Sequence, residues 1–279
     1  MTRHIACLTF DFDVISSWIN RGLTTPTSIS RGEFGLVGAE RILALLKHDD
    51  IRATWFVPGH TLDTYPEICR RIHAAGHEIA HHGYLHEPPA TLTAEEEDAV
   101  LARGSESIRK ITGAAPRGYR SPSWDLSARS VDLLLARGFQ YDSSMMAHDD
   151  QPYRARQGDE IGSDGAVHWG RPTRLIEIPV SWSLDDFPHF EYRRTQSSIQ
   201  PGLMHAEAVL DNWVADFRFM ARNVEWGVLT YTFHPQVVGR GHRMLALEQL
   251  IQQVRDLGGT FNRMDEAAAE FDSRVPMRG

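Results

Sequence analysis

Along most of this chain, short runs of apolar and aromatic residues alternate with stretches of helical periodicity, and Gly or Pro separates them. Such alternation predicts parallel strands with helices packed outside them, as an open sheet or a barrel. Strands are expected at "IACLTFDF", "RATWFVPG", "HEIAHHG", "RGYRSP", "FQYDSSM", "LIEIPVSW" and "WGVLTYTFHP". Helices are expected at "GAERILALLKHD", "YPEICRRIHAAG", "TAEEEDAVLARGSESIRKITG", "SARSVDLLLARG", "AEAVLDNWVADFRFMARN" and "MLALEQLIQQVRDLG". Thr93 stands three residues ahead of Glu96, a capping-box spacing that fixes the start of one of them. No repeat or low-complexity linker divides the chain, so residues 1–279 are expected to form one domain. The turn-rich stretch from about 147 to 172 is expected to be an irregular insert, a lid or an oligomer contact.

A formal net charge of -8 argues against DNA, RNA or an acidic lipid surface as partner, because phosphate binding needs clustered Lys and Arg. Two cysteines, Cys7 and Cys69, without metal-type spacing read as reduced thiols. The first residues lack the pattern of a secretory signal, and no run approaches the ~20 apolar residues that span a bilayer. A cytoplasmic protein that is not membrane-bound is the expectation.

The chemistry is concentrated in two places. In the strand "LTFDFDV", Leu8, Phe10 and Phe12 point to one side while Thr9, Asp11 and Asp13 point to the other. Two carboxylates converging from one strand face imply a cation or a tuned acid and base pair, unless both are simply solvated at a strand end. Six of the 14 histidines lie between His60 and His86. Among them His82 and His86, four apart after a strand, have the spacing to bind one ion from a single turn, and two imidazoles with one carboxylate leave positions open for water. His81 projects away from His82 and His77 lies on the far side, so both are expected to serve structure. Arg120, Asp142 and His234 stand at the ends of predicted strands, where parallel barrels build their sites. Arg120 is placed to hold one of the carboxylates, and His234 is a buried hydrogen-bonded residue or, in a hydrolytic reading, the proton donor.

Taken in order, "TFDFD", "HGYLH", "RSPSW", "DSS" and "FHP" resemble the polysaccharide deacetylase family with its NodB-type domain, from about Leu8 to Pro235. The segments "SRGEFG", "SPSWDLS" and "DDFPHFEY" are similar to the subgroup of Helicobacter-type peptidoglycan deacetylase homologues and cyclic imide hydrolases. The chain departs from the family pattern in having Phe12 between its two aspartates and Val14 after them. The resemblance implies a distorted (β/α) barrel. It further implies Asp11 as general base, His234 as general acid, Arg120 orienting Asp11, Asp142 bonded to His234, and a divalent metal, most often zinc, on Asp13, His82 and His86. It also implies a homo-oligomer such as a tetramer. The substrate expected is a small cytosolic cyclic imide or amide. The alternatives are an N-deacetylase of peptidoglycan or another N-acetylated saccharide, and a non-catalytic carbohydrate-binding pseudoenzyme. Trp124, Phe187 and Phe190 are candidates for an apolar wall or for core packing, and Arg31 and Glu33 for a gate at the pocket.

Overall fold

The computed structural model describes residues 2–194 and 199–277. Its strands are β1 (Arg3–Asp11), β2 (Thr54–Val57), β3 (Glu78–His81), β4 (Gly118–Tyr119), β5 (Tyr141–Asp142), β6 (Tyr153–Gln157), β7 (Glu160–Ile161), β8 (Val167–His168), β9 (Arg171–Glu177), β10 (Arg193–Arg194), β11 (Ile199–Gln200), β12 (Trp226–Phe233) and β13 (Thr260–Phe261). The α-helices are α1 (Ser16–Asn20), α2 (Pro26–His48), α3 (Gly59–Thr64), α4 (Pro66–Ala74), α5 (Ala94–Thr112), α6 (Ser130–Ala136), α7 (Asp186–Phe190), α8 (Ala206–Asn223), α9 (Pro235–Val238), α10 (Gly241–Asp256) and α11 (Met264–Arg274).

One curled sheet runs in the order β12-β1-β2-β3-β4-β5-β9-β6, with β13 also paired to β1. All its pairings are parallel except that of β6 with β9. The longest register joins Arg3–Phe10 to Trp226–Phe233. The expected barrel is therefore a curled, parallel-rich sheet with helices outside it. Strand β1 is buried on both faces, and each face has its own role. Ala6, Leu8, Phe10 and Phe12 pack in the large outer core with residues of α2, α8 and α10. Ile5 and Cys7 turn inward and meet Phe56, Tyr141, Ile176 and α11. Continuing that inward face, Thr9, Asp11 and Asp13 carry it from an apolar plug to a polar mouth at the carboxyl ends of the strands.

Helix α2 begins at Pro26, twelve residues before the predicted stretch starts at Gly38. Its Gly32, Gly35 and Gly38 are all buried, one turn apart, and they have a steric purpose. A β-carbon on Gly32 would overlap the carbonyl of Val14, and one on Gly38 would overlap that of Pro235. The glycine stripe thus lets one helix approach the backbone that follows Asp13 and the backbone that follows His234. Residues 147–172 are likewise more regular than the sequence suggests. Strand β6 pairs with β9 at the sheet edge, and β7 with β8 forms a small antiparallel ladder. In β6 only Ala155 is fully buried among Arg and Gln, so the period-2 signal had no apolar residues to carry it. The Thr93–Glu96 capping box is present. No helix of the described residues is long and apolar enough to cross a membrane.

Overpacking a tight backbone contact costs about 1–3 kcal/mol. Gly38→Ala is therefore expected to lower thermal stability measurably, whereas Gly241→Ala, where a β-carbon meets nothing within 4 Å, leaves it nearly unchanged. Equal Tm values for the two variants would contradict this role of the stripe.

Candidate metal centre and active site

Asp11 ends β1 and Asp13 follows two residues later on the same face. Between Asp13 and α1 the chain turns through Val14 at φ +51°, a left-handed conformation that a β-branched residue rarely adopts. The turn is held by the hydroxyls of Ser16 and Thr61, which donate to the Asp13 carbonyl at 2.5 and 2.9 Å. Arg120, fully buried at the end of β4, donates through Nη1 to Asp11 Oδ1 at 2.7 Å and to Thr9 Oγ1 at 2.9 Å. Its Nε and Nη2 reach the carbonyl and hydroxyl of Ser143, both at 3.1 Å. Burial works to raise the Asp11 pKa, but Arg120, His82 and His234 outweigh it and hold the carboxyl below its usual range.

His82 follows β3 and His86 lies in the loop beyond it, at φ +65°. His82 Nδ1–H donates to the Arg120 carbonyl at 2.8 Å, which leaves the Nε2 lone pair free. That nitrogen lies 3.6 Å from Asp13 Oδ1 and 3.9 Å from Asp11 Oδ2, and His86 Nε2 lies 3.5 Å from Asp13 Oδ2. Asp13 Oδ1 is buried and has no hydrogen-bond partner. Burial raises the Asp13 pKa and pushes that of His86 well down, so the imidazole is neutral, the form that binds metals. One ligand atom from each of Asp13, His82 and His86 lies within 4.8 Å of the others. Separations near 3.5 Å match two donors each about 2.1 Å from a tetrahedral centre. These residues therefore fit a divalent ion.

His234 follows β12. Its Nδ1–H donates to Asp186 Oδ1 at 2.8 Å, and its backbone N–H lies 3.0 Å from Oδ2 of the same residue. Asp185 Oδ1 stands 3.5 Å away and is itself held by the Phe187 N–H. Burial alone would lower the pKa of this imidazole, but Asp185, Asp186 and Asp11 raise it to about 10. His234 is accordingly an imidazolium at neutral pH, with Nε2–H left to donate.

Asp11, Asp13, His82, His86 and His234 line one cavity of about 100 Å3. Trp124 and Phe187 line it too, and Trp124 stacks on Trp182 with ring centroids 4.2 Å apart. Other expected residues lie elsewhere. Asp142 does not bond His234; on β5 it accepts from the Ser144 hydroxyl at 2.8 Å and shares a buried site with Glu177 on the neighbouring β9. Burial raises both carboxyls, Asp142 to about 6. The partner role belongs to Asp186, which is hydrogen-bonded to His234 from α7. Phe190 turns into the core against Trp213 rather than into the cavity. Glu33 is exposed on the outer face of α2, because the helix turns its glycine stripe inward. Arg31 pairs with Glu191 and does not reach the cavity. Among the described residues none of the 147–172 stretch lines the cavity. Trp182, Asp185, Asp186 and Arg21 were not expected, although "DDFPHFEY" holds the two aspartates in plain view.

Comparison with known proteins places this arrangement in context. Residues 36–141 match the polysaccharide deacetylase family profile. A peptidoglycan deacetylase of Helicobacter pylori is 37% identical, with 96% of each chain aligned. Among solved structures, a Mycobacterium smegmatis protein assigned as a polysaccharide deacetylase superposes with a TM-score of 0.83 at 31% identity, covering 100% of this chain and 95% of that one. The PuuE allantoinase superposes with a TM-score of 0.79 at 20% identity, covering 99% and 93%, a likeness of fold.

An acid that must be protonated to act is lost as pH rises through its pKa. Removing the Asp186 charge lowers the pKa of His234, so Asp186→Asn is expected to move the alkaline limb of the kcat/KM profile to lower pH. An alkaline limb unmoved in the variant would show that His234 is not the group that titrates.

Proposed function

This chain belongs to the polysaccharide deacetylase family, and from that premise we propose that it is a metal-dependent hydrolase of a carbon–nitrogen bond other than a peptide bond. The observation that carries this reading is the convergence of an ionised carboxylate, a protonated imidazole and a metal-type triad on one cavity. Asp13, His82 and His86 would hold the ion, and zinc suits two imidazoles and a carboxylate with open positions. When bound, such an ion supplies Lewis acidity toward a carbonyl and toward water.

The remaining steps fall to the chain's own groups. Arg120 occupies Asp11 Oδ1, which leaves Oδ2 to accept the proton of an attacking water. His234, held at Nδ1 by Asp186, gives its Nε2 proton to the departing nitrogen. Trp124, Trp182 and Phe187 give the cavity apolar aromatic walls suited to a small ring, which supports a cyclic imide or similar small amide as substrate. Two unpaired, buried cysteines agree with an intracellular site of action. The extent of identity with the Helicobacter pylori peptidoglycan deacetylase favours a second reading, N-deacetylation of a saccharide by the same groups.

Paired assays separate the two: ring opening of succinimide and maleimide against acetate release from N-acetylglucosamine oligosaccharides. Turnover of the imides alone is expected, and acetate release alone would transfer the assignment to the second reading. In either case Asp11→Asn is expected to lower kcat by about 10²–10⁴-fold while retaining metal affinity, whereas His82→Ala also holds the metal more weakly. Equal metal loss in both variants would refute the division of roles.

A further inference from the structure

Beside the catalytic cavity, and sharing none of its lining residues, lies a second cavity of about 240 Å3 between α2, the end of α7 and the segment after His234. Arg31, Arg240 and Arg243 line it, with Glu191 as the one carboxylate among the described lining residues. Arg243 is only 7% exposed. Its Nη1 and Nη2 donate to the carbonyls of Val237 at 2.9 Å and Phe190 at 3.1 Å, and its Nε is buried without a partner. Among the described residues no carboxylate lies within salt-bridge distance of it: Asp186 is committed to His234, and Glu191 to Arg31. Arg240 stacks on Phe34, its guanidinium carbon 3.4 Å from the ring centroid, again without a carboxylate. Gln236, 6% exposed, faces the same cavity with a buried amide oxygen that has no donor.

Buried charges in folded proteins are paired, as Arg120 is with Asp11. Among the described residues no carboxylate pairs directly with Arg243 or Arg240, although Asp186 and Glu191 lie near enough to act on Arg243, and the buried Arg243 Nε–H has no acceptor. We propose that this cavity binds a small organic or inorganic oxyanion, a carboxylate or a phosphate, seated between Arg240 and the unmet Nε–H of Arg243. Trp18 and Phe190 supply apolar walls for the rest of the molecule. The site is distinct from the reaction centre, and its occupancy requires no turnover.

The test is calorimetric titration of the metal-loaded protein with succinate and, separately, with inorganic phosphate, repeated after chelation of the metal. Saturable binding of either anion is expected, persisting after chelation; the anion that binds identifies the oxyanion class. Arg240→Ala is expected to weaken it at least about tenfold. Gln236→Glu, which supplies a carboxylate in place, is expected to abolish binding and raise Tm. Absence of saturable binding, loss of binding on chelation, or an affinity unchanged in Arg240→Ala would each overturn the proposal. Arg240 is exposed, so that variant decides the matter even if Gln236→Glu folds poorly.

Discussion

The ion pair between Arg120 and Asp11 organises everything around it. An arginine with no exposure at all is costly unless its donors are met, and here Nε, Nη1 and Nη2 reach Ser143, Thr9 and Asp11 across three strands. The same residue's carbonyl receives the His82 Nδ1–H, so one position fixes both the orientation of the base and the tautomer of a metal ligand. Replacing such a pair by hydrophobic residues would not necessarily destabilise the fold. Its worth lies in geometry: it keeps Asp11 ionised with one oxygen free.

Two imidazoles a short distance apart are driven in opposite directions by their surroundings. His86 is buried, with Arg21 and the protonated His234 acting on it, and stays neutral, as a ligand must. His234 is buried to a similar degree, but Asp185 and Asp186 stand against it and reverse the outcome. Environments that push like groups apart are how one site keeps an electron-pair donor and a proton donor at the same pH. The backbone that carries these groups is held close by α2, whose glycines meet Val14 behind Asp13 and Pro235 behind His234.

Much of this was legible in the sequence because β-strand parity is strict. The alternation in "LTFDFDV" predicts which side chains enter the barrel, and the same parity separates His82 from His81, which bonds the Leu101 carbonyl on the helix side. What was not legible depended on contacts distant in sequence. Asp142 and Asp186 both follow or precede strands at plausible places, and only the path of the chain puts Asp186 beside His234. The three glycines of α2 imitate a loop to any propensity argument, since their benefit is an approach of backbones that sequence does not display. Phe190 and Glu33 were drawn toward the pocket by their motifs, whereas the short helix α7 and the face of α2 turn them elsewhere.

The central claim is that Asp13, His82 and His86 share one ion. X-ray absorption at the zinc edge of protein loaded with one equivalent of zinc tests it most directly. The account predicts nitrogen and oxygen donors at about 2.0–2.1 Å with outer-shell scattering from two imidazole rings, reduced to one in His86→Ala. A spectrum without imidazole scattering, or one identical in His86→Ala, would contradict it.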